Sequence, residues 1–274
     1  MNNKSTVILF AFVIVLLANL YFGQNINFSK AESLFVQKNY KEAIKNFESV
    51  IKQSSNYEPA WFGLQNTYIQ MGDLTSAQKI KNIYLSDRLV WGEARIYFYS
   101  NKFDSSTFYI VELARRFPQS NLLNDALELG IIIAEVSKDS TNLSRYSQAL
   151  YYYETGNYIE GISIIQTLIV KSSSIAQYAY LLLSRIFKAK GEINQSIATL
   201  DEFNKKYPES PLQPKAQYNL GLIYLESLHD TNMAKNIFED LISNFPQSPE
   251  SYFARSQLTI IESKSSPKQT SAPK

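Results

Sequence analysis

The chain has 274 residues, 45% of them hydrophobic and 14% aromatic, and its 27 basic and 25 acidic residues leave a net charge of +2. Charges this balanced and interspersed argue against a nucleic-acid partner, and without a single cysteine the fold must stand on packing alone. One histidine, His229, sits beside Asp230 in a polar turn, there is no glycine-rich phosphate loop, and the carboxylates of Glu239 and Asp240 point to different sides of a helix, so neither catalysis nor a metal or cofactor is expected.

The amino terminus is apolar. After Lys4 comes the run Val7 to Ala18, then Asn19 and Leu20-Tyr21-Phe22. As a helix this reaches about 24 Å, short of the roughly 30 Å hydrocarbon core. The short run points to a cleaved export signal. Tyr21-Phe22-Gly23 and Leu16-Leu17-Ala18 lack the small residue three back that a clean cleavage site needs. Residues 1–23 therefore read as a signal peptide or a signal anchor. With Lys4 held inside, either route carries the rest of the chain across the membrane.

From residue 24 a pattern repeats. Tyr40, Ala43, Phe47 and Val50 place a small residue three after a large one, with apolar residues following. The small residue returns as Ala77, Ser106, Gly161, Ser196 and Ala234, at spacings of 34, 29, 55, 35 and 38. Periods near 34 predict a helical solenoid with two helices per unit. Close packing of the pair needs a small residue on the first helix too. About twelve residues upstream stand Ala31, Gln65, Ala94, Ala149, Ser184 and Gly221. Gln65 departs, as does Lys81 later in the same repeat, which predicts looser packing there. Leu34, Tyr68, Tyr97, Tyr152, Phe187 and Tyr224 are placed to fill grooves between repeats. Gly72-Asp73, Gly156-Asn157 and Gly191-Glu192 mark turns in which glycine takes the left-handed conformation.

Three repeats fit residues 24–117 and three more fit residues 142–262, the latter closed by a capping helix at Ser251 to Glu262. The 55-residue spacing leaves room for an extra helix, Leu122 to Val136, within a joint spanning 118–141. Residues 263–274, rich in Ser, Pro and Lys, are expected to be disordered. Asn-x-Ser triplets at Asn27, Asn142 and Asn194 read as chance occurrences.

On the block Pro59-Ala60-Trp61-Phe62-Gly63-Leu64, Tyr68, Gly72-Asp73 and Ala77 the chain resembles the tetratricopeptide repeat (TPR) family over roughly residues 24–262. Three aromatic-Pro-x-Ser turns, at Phe117, Tyr207 and Phe245, are each followed nine residues on by alanine: Ala126, Ala216 and Ala254. Proline stops one helix and the serine is placed to cap the next. These turns resemble repeats of bacterial envelope proteins such as the periplasmic protein of the Tol-Pal system and the outer-membrane assembly lipoprotein. The absence of cysteine departs from the lipoproteins, and the absence of an amino-terminal coiled-coil segment departs from the Tol-Pal type.

The resemblance implies an all-α, TPR-like solenoid whose first helices line a concave groove. Carried over repeat by repeat, the inward positions are Phe62, Asn66, Trp91, Arg95, Phe98, Tyr99, Tyr146, Tyr153, Arg185, Lys188 and Tyr218. Aromatic faces with Arg or Lys ends suit a protein partner, an extended peptide or helix with acidic groups; Phe98 and Tyr153 could equally pack between helices. Two functions follow. One is an exported adaptor in cell-envelope assembly or organisation, and the other is a membrane-anchored subunit stabilising a larger complex through its outer faces.

Overall fold

The computed structural model describes residues 26–80, 83–170 and 175–265; the apolar amino-terminal run and most of the carboxy-terminal tail lie outside them. Every regular element among the described residues is helical, and the fold is an all-α, TPR-like solenoid. The chain divides between Ser137 and Lys138 into two compact units, a boundary that falls within the stretch read as a joint.

The first unit contains α1 (26–36), α2 (Tyr40–Gln53), α3 (Glu58–Met71), α4 (Leu74–Ala77), α5 (Asp87–Tyr99), α6 (Phe103–Arg116) and α7 (Leu123–Val136). The second contains α8 (Ser140–Glu154), α9 (Tyr158–Val170), α10 (Ala176–Ala189), α11 (Ile193–Lys206), α12 (Gln213–Leu222), α13 (Thr231–Asn244) and α14 (Pro249–Ser265). Each unit is thus three hairpins followed by a single helix. The helix α14 extends through Ser265, past the expected start of disorder at Ser263. The last second helix in each unit runs into its single helix through the same Phe-Pro-Gln-Ser sequence, at Phe117 and at Phe245.

Steric demand explains the hairpins. All six small residues of the second helices are buried, and Ser106, Gly161 and Ser196 lie against Ala94, Ala149 and Ser184 of the first helices. Where the slot holds serine, the hydroxyl is satisfied across the hairpin. Ser106 Oγ donates to the Ala94 carbonyl at 2.8 Å, and Ser196 Oγ donates to the Ser184 carbonyl at 2.8 Å. The residue ending each first helix takes positive φ in all six turns. Besides Gly72, Gly156 and Gly191, these are Lys38 (59°), Asn101 (57°) and His229 (55°), for which the sequence reading did not predict that conformation.

The aromatic-Pro-x-Ser turns differ from expectation in one detail. Only Ser248 caps its helix, accepting from the Ser251 N–H at 3.1 Å. Ser120 and Ser210 accept instead from Leu122 and Leu212 at 3.0 Å, inside the turn. Their own hydroxyl protons go to the starts of preceding first helices, Ser120 to Asp87 Oδ2 at 2.6 Å and Ser210 to Gln177.

The repeats at Gln65 and at Gly221 are irregular. In the second repeat the second helix is a single turn, α4, and Lys79 just beyond it is exposed. Gln65, occupying the small-residue slot of α3, reaches α5 and donates through Nε2 to the Leu89 carbonyl and to Glu93 Oε1, both at 3.3 Å. Gly92 makes room for it, since a Cβ there would stand 1.8 Å from Gln65 Oε1. Burial pushes the Glu93 carboxyl up to about 7. In the sixth repeat, Gly221 precedes Ala234 by thirteen residues, and a π-helical turn over Ile223–Ser227 absorbs the additional residue.

Candidate functional site

The first helices α8, α10 and α12 of the second unit line a cleft of about 440 Å³. Arg185 projects from α10 with its guanidinium 4.8 Å from the centre of the Tyr153 ring on α8. Lys188, one turn further along α10, pairs with Glu226 at 2.8 Å. Asn219, Leu222 and Ile223 close the α12 side. The helical pattern puts Arg185 here because its neighbour Ser184 is directed into the hairpin, where its hydroxyl meets that of Ser196 at 2.8 Å. A residue following a packed small one emerges beside the seam. The cleft therefore combines an aromatic face, two cations and an amide over an apolar floor.

In the first unit the corresponding row, α1, α3 and α5, encloses a second hollow of about 230 Å³ lined by Phe28, Phe35, Phe62 and Asn66, with Glu32 and Arg88 among its polar members. Arg88 stacks on Phe62 at 4.5 Å and pairs with Glu58. Further along the row Arg95 lies 5.8 Å from the Trp91 ring and donates to Asn66 Oδ1 at 3.5 Å.

The predicted residues thus separate into clusters. Tyr153, Arg185 and Lys188 share one cleft; Phe62 and Asn66 share the other hollow, and Trp91 and Arg95 continue that row. Phe98, Tyr99 and Tyr146 do not present themselves to a ligand, being 0%, 9% and 5% exposed. Phe98 packs on Phe103 at 5.6 Å, inside its own hairpin. Tyr218 is half-buried between Phe238 at 5.7 Å and Phe253 at 6.1 Å, and its neighbour Asn219 reaches the cleft instead. The sequence reading missed Arg88, Asn219 and Glu226. Arg88 could have been found from its place in the first turn of α5, opposite Glu58 in that of α3; Asn219 had no comparable signal.

Among the described residues no cluster of His, Asp and Glu could hold a metal, and no helix is long and apolar enough to cross a membrane.

Tetratricopeptide-repeat profiles match residues 34–82, 178–210 and 215–248. Solved structures to which the chain is similar include PilW, described as a widely conserved type IV pilus biogenesis factor. It is 14% identical, covering 85% of this chain and 98% of that one, with a TM-score of 0.38. YrrB, described as a TPR protein with an unusual peptide-binding site, is 10% identical over 84% and 90% of the two chains, at 0.35. Pseudomonas aeruginosa PilF is 9% identical over 87% and 99%, at 0.36. None of the curated proteins compared matches the chain.

Proposed function

Since this chain is a tetratricopeptide-repeat protein, built on a fold that serves as a protein-interaction scaffold, we propose that it is an exported adaptor. Its first-helix rows capture an extended peptide or helix bearing acidic groups, in cell-envelope assembly or organisation. The observation that carries this reading is the cleft across α8, α10 and α12, where Arg185 lies over Tyr153 and Lys188, paired with Glu226, stands beside it on an aromatic and apolar wall. A guanidinium over a ring is attracted by the ring's negative face, which fixes the cation on the wall of the cleft. Export is supported by the apolar run behind Lys4.

Arrays of acidic and basic peptides probed with the full chain test the groove. Acidic peptides should be retained, and Arg185→Glu should abolish their retention with the helical circular dichroism unchanged. If the Arg185→Glu variant binds the same peptides as the parent, the groove reading fails.

A further inference from the structure

The outer stripe of α6 reads Asp104, Phe108, Val111 and Arg115. Steps of four, three and four keep these residues on one helical face, opposite the buried Ser106, Ile110 and Leu113, and all four are exposed. Counted from each small residue, the two apolar positions are otherwise polar or small: Lys45 and Glu48 in α2, Ala198 and Asp201 in α11, Asn236 and Glu239 in α13.

The apolar surface continues across the seam to α7. Ile110 Cγ2 lies 3.6 Å from where a Cβ on Gly130 would stand. Leu127 and Ile131 emerge beside Gly130, one turn apart. Aligned through the alanines nine residues after each aromatic, the same positions are Gln217 and Gly221 in α12, Arg255 and Thr259 in α14. Phe108, Val111, Leu127 and Ile131 are each between 46% and 57% exposed. Among the described positions compared, the surface over this seam, which a second helix after α7 would cover, is the apolar one.

The stripe is also self-complementary. Laid antiparallel on a second copy, about a two-fold axis between Tyr109 and Ile110, Asp104 meets the copy's Arg115 and Phe108 meets its Val111, each contact occurring twice. Arg115 gives Nε and Nη2 to Glu112 at 2.8 and 2.9 Å, and Arg116 Nε also reaches Glu112 at 2.8 Å. With a side chain 60% exposed, Arg115 has further N–H groups to offer a facing carboxylate. We propose that the chain pairs with a second copy of itself through the α6 stripe, flanked by Leu127 and Ile131 of α7. The stripe spans about 16 Å, shorter than a standard interface requires, so the pairing is reversible.

Because the chain has no cysteine, Val111→Cys introduces a single thiol, and a short bismaleimide applied to the full-length protein reads the pairing on a denaturing gel. A covalent dimer should form far faster than with Ile159→Cys, a control at an exposed apolar position of α9 (74%). Adding Asp104→Arg to Val111→Cys should reduce the rate roughly tenfold by setting like charges together twice. Adding Arg115→Asp as well should restore it, with circular dichroism confirming the fold of each variant. Cross-linking no faster than the Ile159→Cys control, or unaffected by Asp104→Arg, would overturn the proposal. Failure of the double charge swap to restore it would overturn the antiparallel register.

Discussion

At the scale of single residues, the buried Glu93 makes stability depend on pH. Its folded carboxyl titrates near 7 against an ordinary value of 4.5 because burial disfavours the charge. Between those values the folded state holds a proton that the unfolded state has released. Its contribution is therefore full below pH 4.5, falls as pH rises to about 7, and stays flat above that. The loss across this window is up to about 3 kcal/mol. Glu93→Gln, neutral throughout, should flatten the curve and stabilise the protein at pH 8, as chemical denaturation at a series of pH values would measure; a parent curve already flat from pH 4.5 to 7 would contradict the assignment. Gln65 was legible in the sequence as a misfit in a small-residue slot. Its consequences were not, because they depend on Gly92 and Glu93 from another helix, and no local pattern connects residues so far apart.

At the scale of elements, helical period identified which side of each helix is buried but not how deep each residue lies. The small-residue slots were readable because only Ala, Ser or Gly lets two helices approach there, whereas Phe98, Tyr99 and Tyr146 stood on a plausible groove face and proved to be wall. The one-turn α4, where the other second helices run thirteen or fourteen residues, and the one added residue in the π turn of the sixth repeat are differences of length that tertiary packing decides. The hairpin turns give an element-scale prediction. A residue with a Cβ in the left-handed conformation costs about 1 kcal/mol or more, so His229→Gly should raise the melting temperature. Gly191→Ala, at φ 80° in an open turn, should lower stability by about 1 kcal/mol. Thermal melts of the two variants check both signs.

Across the whole molecule, three buried apolar clusters among the described residues are each local. One is built by α1, α2, α3 and α5 around Phe47 and Trp61, another by α10, α11 and α12 around Tyr180, Leu200 and Phe203, and a third joins α13 and α14 around Phe238 and Ile261. In such a quasi-one-dimensional array, stability is a sum of repeat and neighbour terms. Leu200→Ala, which empties a fully buried site, should weaken hydrogen-exchange protection across α10 to α12 by about 3 kcal/mol. Amides of α2 and α3 should keep their parental rates, and equal loss in both regions would show a more global cooperativity.

The single-turn α4 has a mechanical consequence. A chain pulled by its ends loads its hairpins in series, and each resists through the helix-to-helix contact it must shear. Five hairpins oppose the pull with two helices of at least ten residues or, for the first, eleven and fourteen; the hairpin of α3 sets fourteen residues against four. The hairpin of α3 is thus the weakest link in the first unit, and extension under load is expected to begin there.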